Sequence, residues 1–199
     1  MRLLLFSDLH RDVAAAENLL QLSIDADVMI GAGDFAVCRK GVADCLSVLR
    51  QAKCPTILVP GNGESADELS EACAGWDQAK VLHGTGVEVA GLQFFGIGGG
   101  IPVTPFGEWS WDFTEQQATE LLEACPEDCV LVSHSPPYGI ADKTSRDEHQ
   151  GSSTVRATID RCRPRLVVCG HIHDSWEQRQ QVDQTLVVNA GPRGVIVSL

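Results

Sequence analysis

Short apolar runs alternate with longer segments of helical periodicity along this chain. The runs are rich in Val, Leu and Ile, a composition typical of strands that are buried on both faces. We predict seven such strands: Leu3–Phe6, Val28–Ile30, Ile57–Val59, Val130–Val132, Leu166–Cys169, Leu186–Val188 and Val195–Val197. Because strands alternate with helical segments in the first half, the pattern predicts parallel β-α-β units and an α/β fold built on mixed sheets.

Capping signals predict where several helices begin. Ser65 with Glu68 and Thr114 with Gln117 have the spacing of capping boxes, and Ser153 is the predicted N-cap of a later helix. The dipeptide Asp183-Gln184 predicts a hairpin turn between closely spaced strands near the end of the chain. The glycines at 96, 98, 99 and 100 predict a loop.

Composition and charge narrow the class of protein. The 199 residues predict one domain over residues 1–199. With 27 acidic against 15 Lys and Arg residues, the net charge is −12, so we expect neither long nucleic acid nor a membrane surface as a partner. The first apolar run is too short for a signal peptide, so we expect a cytoplasmic protein whose eight cysteines are reduced and mostly buried.

Polar residues follow five of the predicted strands at the point where each strand ends. Ligands of open α/β sheets bind outside the carboxyl ends of the strands. Each residue alone has an ordinary structural role, such as a helix N-cap for Asp8, a hydrogen-bonded histidine for His134 or a turn residue for Asn62. Their coincidence favours one metal site, whose candidate ligands are Asp8, His10, Asp34, Asn62, His134, His171 and His173.

The ligand types indicate the chemistry of this site. Mixed nitrogen and oxygen ligands suit Mn, Fe, Zn or Ni, and the lack of a cysteine disfavours a structural zinc site. If Asp34 bridges, the seven side chains supply four ligands to each of two ions. Two neighbouring divalent ions are a standard arrangement for displacement at phosphorus.

The motifs as a set resemble those of the calcineurin-like metallophosphoesterases, in particular the small bacterial and archaeal members. They are Asp8-x-His10, Gly33-Asp34, Gly61-Asn62-x-Glu64, Ser133-His134, Gly170-His171-x-His173 and Asn189-Ala-Gly-Pro192. The resemblance implies a four-layer αββα sandwich of two mixed sheets flanked by helices, with a dimetal centre at the strand ends. It also implies that a hydroxide bridging the two metals attacks phosphorus in line.

The resemblance implies a role for each ligand and exposes one departure. Asp8, His10, Asp34 and His173 would hold the first ion, and Asp34, Asn62, His134 and His171 the second. Many family members have a histidine directly after the asparagine, where it stabilises the transition state or protonates the leaving oxygen, and this chain has Gly63. We therefore expect a preference for diesters or for activated leaving groups.

Two further residues are candidates for contact with the phosphate ester. His149 precedes a predicted helix start and could serve as a substitute acid, although an exposed loop histidine is the alternative. Arg11 could donate to a phosphate oxygen, although a solvated arginine at a helix start is the alternative. The aromatic-rich loop over residues 98–113 is either a lid or stacking surface, or a loop packed by its own side chains.

These observations together predict a dinuclear metal-dependent phosphoesterase, with a phosphodiesterase favoured over a monoesterase. Asp34, Asn62 and His134 are the predicted catalytic residues, the substrate is a small phosphate ester, and Mn is the favoured metal in vitro. The alternative is a catalytically weak family member that acts as a metal-binding or protein-interaction scaffold. A nuclease on long nucleic acid would fit the chemistry but not the charge.

Overall fold

The computed structural model describes all 199 residues, which form eleven strands and five α-helices. The strands are β1 (Arg2–Phe6), β2 (Val28–Ala32), β3 (Thr56–Val59), β4 (Ala79–Val81), β5 (Thr85–Val89), β6 (Leu92–Ile97), β7 (Val130–Ser133), β8 (Leu166–Cys169), β9 (Arg179–Val182), β10 (Thr185–Asn189) and β11 (Val195–Ser198). The helices are α1 (Val13–Leu22), α2 (Val42–Leu49), α3 (Ala66–Ala72), α4 (Glu115–Leu122) and α5 (Ser153–Cys162). Single 3-10 turns lie at Ser23–Asp25 and His173–Ser175.

The strands form two mixed sheets, as predicted. The first has the order β11-β1-β2-β3-β4, and only β11 runs antiparallel to its neighbour. The second has the order β5-β6-β7-β8-β10-β9, in which only the edge strands β5 and β9 are antiparallel. The parallel strands in the middle of each sheet therefore end on the same side, where loops can meet.

Alternating side chains of the central strands build two different cores. Leu3 and Leu5 of β1 face the second sheet, whereas Leu4 and Phe6 face the helices. Successive side chains of a strand point to opposite faces, so a strand buried on both faces reads as one continuous apolar run. This alternation accounts for the unbroken apolar runs in the sequence.

Helices cover the outer face of each sheet. Leu19 of α1, Leu46 of α2 and Leu69 of α3 pack against the first sheet. Leu122 of α4 and Ile159 of α5 pack against the second. The layers are therefore helix, sheet, sheet and helix, and the predicted four-layer sandwich is confirmed.

Most local signals in the sequence have the predicted outcome. Both capping boxes form, at Ser65 with Glu68 and at Thr114 with Gln117. The turn at Asp183-Gln184 joins the antiparallel strands β9 and β10. All eight cysteines are free and six are buried. No helix combines the length and the hydropathy needed to cross a bilayer.

Two local predictions are wrong. The N-cap of α5 is Ser152 rather than Ser153, and its hydroxyl accepts from the Val155 N–H at 3.1 Å. The Glu115 carboxylate accepts from the Ser152 hydroxyl and the Ser153 N–H, which starts the helix one residue earlier. Gly96 belongs to β6 and not to the loop that follows it.

Close packing explains the glycine at position 96. A Cβ atom there would lie 2.5 Å from the Cβ of Leu82, which is far inside van der Waals contact. The sequence analysis also missed β4, β5, β6 and β9. Of these, β5 and β9 are edge strands with exposed polar positions, so they lack the apolar run that marks the central strands.

The inter-sheet core is the largest of three hydrophobic clusters, with 18 buried residues. Phe94 has no exposed surface and lies between the two sheets, so we expect Phe94→Ala to lower the free energy of unfolding by about 3–5 kcal/mol. Ile24→Ala is the control, because Ile24 is 76% exposed and its loss should change stability by less than about 0.5 kcal/mol. Urea denaturation measures both, and equal effects of the two substitutions would contradict the prediction.

Candidate metal centre

Loops from both sheets meet at the carboxyl ends of the parallel strands. The first sheet contributes side chains after β1, β2 and β3, and the second sheet contributes them after β7 and β8. Contacts link all seven predicted ligands, which are Asp8, His10, Asp34, Asn62, His134, His171 and His173. The site therefore lies across the seam between the sheets.

One group of side chains, the His10 cluster, contains His10, His173, Asp8 and one oxygen of Asp34. The Nε2 atoms of His10 and His173 lie 3.1 Å apart. Nε2 of His10 is 3.7 Å from Oδ2 of Asp34, and Nε2 of His173 is 3.8 Å from Oδ1 of Asp8. Ligand atoms of Asp8, His10 and His173 all lie within 4.8 Å of one another, a spacing that one metal ion can span.

A second group, the His134 cluster, contains His134, Asn62, His171 and the other oxygen of Asp34. Nε2 of His134 lies 3.1 Å from Oδ1 of Asn62 and 3.6 Å from Oδ1 of Asp34. The rings of His134 and His171 meet edge-on with centroids 4.9 Å apart. Asp8 also lies within reach of Asp34 and His134. The two oxygens of Asp34 thus face different clusters.

The donor and acceptor pattern of these side chains fits a cation in each cluster. Nδ1 of His134 lies 2.7 Å from the carbonyl oxygen of Ala32, which can only accept, so Nε2 of the neutral ring carries a lone pair. That lone pair faces Oδ1 of Asn62, which is also an acceptor. Nδ1 of His10 likewise lies 3.3 Å from the Ala36 carbonyl oxygen, which leaves its Nε2 facing His173. Facing lone pairs are stabilised by a metal ion between them.

The electrostatic field of the site also favours positive charge. Burial alone would raise the pKa of Asp34, but the neighbouring His134 and His10 hold that pKa below its usual value. Burial alone would lower the pKa of His134, but the carboxylates of Asp34 and Asp8 raise it. For His171, burial and the charge of His134 lower the pKa to about 3, so this ring stays neutral and able to ligate.

The backbone is strained at several of the predicted ligands. Asp8, His10, Asp34 and His171 have φ angles of 55°, 45°, 52° and 65°, in the left-handed region that few residues other than glycine adopt. The N–H of Asp8 donates to the Gly33 carbonyl at 2.8 Å, and that of His10 donates to the Asp34 carbonyl at 3.0 Å. The loops after β1 and β2 therefore hold each other in this conformation, which is a common property of functional sites.

A buried carboxylate outside the ligand set joins two of the loops. Glu64 has no exposed surface, and its oxygens accept from the N–H groups of Gly61 at 2.7 Å, Ala36 at 2.9 Å and Phe35 at 3.2 Å. Burial and the charge of Asp34 raise the pKa of Glu64 to about 7, while these three donors oppose the rise. Glu64 thereby fixes the loop that carries Asp34 against the loop that carries Asn62.

Two positioning residues were missed by the sequence analysis. Nε1 of Trp176 donates to Oδ2 of Asp8 at 3.1 Å, and the Trp176 ring packs 4.4 Å from the His173 ring. The Ser110 hydroxyl accepts from Nδ2 of Asn62 at 2.9 Å and donates to Asp112 at 2.7 Å, which aims Oδ1 of Asn62 at His134. Neither residue carries a sequence signal, because each is far along the chain from the ligand that it holds.

The two additional candidates lie outside both clusters. Nδ1 of His149 lies 2.6 Å from Oδ1 of Asp142, and His149 shares a surface cleft with His171. Nε of Arg11 donates to Asp44 at 2.8 Å, at a position where the Arg11 side chain is half exposed. A phosphate contact by either residue stays a prediction.

The loop over residues 98–113 is packed by its own side chains. Phe106 stacks on Trp109 at 5.6 Å, and Trp111 meets Phe113 edge-on at 4.7 Å. Outside the loop, His83 lies against both Trp111 and Phe113, and its Nδ1 accepts from the Gly98 N–H at 3.1 Å. The geometry favours the self-packed alternative, and the Ser110 hydroxyl and the Trp111 N–H connect the loop to Asn62 of the candidate site.

A family model, a relative by sequence and two solved structures show which known proteins this chain is similar to. The family model described as the calcineurin-like phosphoesterase superfamily domain matches residues 1–195. A UPF0046 protein of Caenorhabditis elegans is 28% identical over 87% of this chain, and the chain spans 64% of that relative's length. The structure of TT1561 of Thermus thermophilus has a TM-score of 0.77 at 21% identity, covering 96% of this chain and 90% of that one. A dimetal phosphatase from Danio rerio has a TM-score of 0.63 at 11% identity, covering 96% and 88%.

The glycine before His171 provides a test of the site's geometry. A Cβ atom on Gly170 would lie 2.4 Å from Oδ2 of Asp8, so Gly170→Ala should displace this carboxylate. We expect the variant to bind Mn²⁺ about 10- to 100-fold more weakly than the wild type by isothermal titration calorimetry. Circular dichroism serves as the check on folding. An unchanged affinity in a folded variant would argue that Asp8 is not a ligand.

Proposed function

Because this chain belongs to the calcineurin-like phosphoesterase superfamily, we propose that it is a dinuclear metal-dependent hydrolase of small phosphate diesters. The observation that carries the proposal is the position of Asp34. Its two oxygens lie 3.7 Å and 3.6 Å from the Nε2 atoms of His10 and His134, which belong to separate clusters. One carboxylate between two ligand clusters is what a pair of neighbouring ions requires.

Each ion would have four protein ligands in this proposal. Asp8, His10, Asp34 and His173 would hold the first, and Asp34, Asn62, His134 and His171 the second. When bound, such a pair lowers the pKa of water and neutralises negative charge on the phosphoryl oxygens. Imidazole, carboxylate and amide ligands suit Mn, Fe, Zn or Ni, and Mn is the metal that we favour for assays.

The chain's own contribution is to hold these ligands in place before substrate binds. The Gly63 N–H donates to Oδ1 of Asp34 at 2.8 Å, the Ala32 carbonyl orients the ring of His134, and Ser110 orients the amide of Asn62. Because these partners are fixed by the fold, little reorganisation accompanies the reaction.

Charge supports a diester as the substrate. A diester carries one negative charge, whereas a monoester carries up to two near neutral pH. The chain has a net charge of −12, and Gly63 supplies no side chain to neutralise or protonate a phosphate oxygen. The acidic surface also disfavours long polyanions, so a small ester is the better fit.

The remaining parts of the proposal concern the protein as a whole. We propose that residues 1–199 act as one metallophosphoesterase domain. The eight free cysteines are compatible with a reducing compartment, and we propose the cytoplasm.

The proposal is tested by comparing two model substrates in the presence of Mn²⁺. We expect a higher kcat/KM for bis(4-nitrophenyl) phosphate than for 4-nitrophenyl phosphate, because Gly63 leaves the site without a side chain to neutralise the second negative charge of the monoester. Asp34→Asn should lower the rate on the diester by about 100-fold, because the shared carboxylate is lost.

Three results would count against parts of this proposal. A strong preference for the monoester would refute the diester assignment. A rate that Asp34→Asn leaves unchanged would show that the activity comes from a contaminant. Two bound equivalents of Mn²⁺ without hydrolysis of either ester would favour the scaffold alternative.

Position 63 provides a second prediction. A Cβ atom on Gly63 would lie 3.1 Å from the Ala36 carbonyl oxygen and 3.3 Å from Oδ1 of Asp34, so a side chain there lies beside the candidate site. We expect Gly63→His to raise kcat/KM on bis(4-nitrophenyl) phosphate by about tenfold or more, because it adds a hydrogen-bond donor that can stabilise negative charge on a phosphate oxygen in the transition state. Gly63→Ala is the matched control for crowding by the Cβ atom. If the histidine variant is no faster than the alanine variant, position 63 has no such role.

A further inference from the structure

A surface cleft adjoins the candidate metal centre. It has a volume of about 460 Å³, and both His171 and His149 line it. Pro102, Val103 and Tyr138 form apolar parts of its wall, and Val103 and Tyr138 are 58% and 52% exposed. The cleft therefore offers apolar surface next to a predicted metal ligand, which is suited to an organic group attached to the phosphate.

His149 is held at this cleft by a fully buried carboxylate. Oδ1 of Asp142 lies 2.6 Å from Nδ1 of His149, and Asp142 has no exposed surface. Oδ2 of Asp142 accepts from the N–H groups of Gly139 and Gly151, both at 2.9 Å. Because all of these partners are donors, Asp142 is fixed as an acceptor and keeps the Nδ1 proton of His149 engaged.

This pairing leaves the other ring nitrogen of His149 to act on a ligand. The His149 side chain is one-third exposed, and its ring lies 5.7 Å from that of Tyr138. When the ring is protonated, both nitrogens are donors, and Asp142 already accepts from Nδ1. The Nε2 proton is therefore the one that can pass to a group in the cleft.

We propose that the leaving group of the ester occupies this cleft and that His149 is the catalytic acid that protonates it. The inference rests on the proposed function. As a water oxygen bonds to phosphorus and the bond from phosphorus to the leaving oxygen breaks, the electron pair stays on that oxygen and takes the Nε2 proton. The proton released by the attacking water restores the ring through solvent, so protons balance over the cycle. Asp142 is the positioning residue that orients His149.

The walls of the cleft indicate the class of leaving group, although polar side chains, among them the carboxylate of Glu115, line the cleft beside its apolar parts. Proline, valine and tyrosine side chains favour an alcohol with an apolar or aromatic body over a highly charged one. Such an alkoxide or phenolate is a poor leaving group, for which protonation matters most.

Two diesters that differ only in their need for an acid test the proposal. Methyl phenyl phosphate releases phenolate, which benefits from protonation, whereas methyl 4-nitrophenyl phosphate releases an oxygen whose charge is delocalised. With Mn²⁺ present, we expect His149→Gln to lose about 100-fold in kcat/KM on the phenyl ester and less than about threefold on the nitrophenyl ester. Glutamine keeps an N–H donor for Asp142 but has no proton that it can release.

Matched controls separate chemistry from folding. The neighbouring exposed residue supplies Glu148→Gln, which should leave both rates unchanged. Asp142→Asn should follow the pattern of His149→Gln, with a larger loss on the phenyl ester. Mn²⁺ affinity measured by calorimetry should be the same for His149→Gln and the wild type.

A binding measurement tests the occupancy of the cleft without catalysis. Tyr138 is the only tyrosine in the chain, so 3-fluorotyrosine labelling yields one ¹⁹F signal at the wall of the cleft. Titration with phenol should shift this signal. If phenol does not shift it, the leaving group does not bind there.

The kinetic outcomes distinguish this inference from the proposed function. A wild type that hydrolyses neither diester refutes the proposed function and the inference with it. A wild type that hydrolyses only the nitrophenyl ester lacks a working acid and refutes the inference alone. Equal losses on both esters, or no loss on either, in His149→Gln also refute the role of His149 and leave the proposed function standing.

Discussion

The buried carboxylate of Asp34 lies between side chains from different sheets. His10 follows a strand of the first sheet, whereas His134 follows a strand of the second, and each faces one oxygen of Asp34. A buried anion is costly unless it is paired, so this carboxylate demands positive charge on both sides. The Gly63 N–H offsets part of that cost by donating to Asp34, and divalent ions between the carboxylate and the histidines would supply the positive charge. The remaining architecture can be understood as the means of holding these atoms in position.

The layered fold holds the atoms around Asp34 in position through its parallel strands. Parallel strands of one sheet end on the same side, and the inter-sheet core keeps the two sets of strand ends at the same seam. The loops at the seam then brace one another. Glu64 joins the loops after β2 and β3, and the Asn189 amide donates to the carbonyls of Ala141, Gly170 and Ile172 beside the histidine loop. These contacts offset the strain of the left-handed backbone at the predicted ligands.

The acidic residues of this molecule fall into a buried group and an exposed group, which have different roles. Four acidic side chains are buried, namely Asp8, Asp34, Glu64 and Asp142, and each accepts from backbone N–H groups or lies among histidines. The other 23 are partly or fully exposed, and against the 15 Lys and Arg residues they leave the surface with eight excess negative charges. The exposed acids bear on which partners approach the protein, whereas the buried acids organise the site and the cleft beside it.

Much of the fold and the predicted ligand set could be inferred from sequence because both depend on local patterns. The central strands are unbroken apolar runs, and each candidate ligand lies within four residues of the end of one of them. The edge strands β5 and β9 lacked such a pattern, and Gly96 was misplaced because only its contact with Leu82 explains it. An apolar run that is buried on both faces also does not reveal which face meets the helices.

The tertiary structure alone decided that Asp34 lies between two clusters, that Trp176 and Ser110 orient the predicted ligands Asp8 and Asn62, and that Asp142 holds His149 at a cleft. Trp176 and Ser110 lie 168 and 48 residues from their partners, and no local pattern encodes contacts that form only when two sheets pack together.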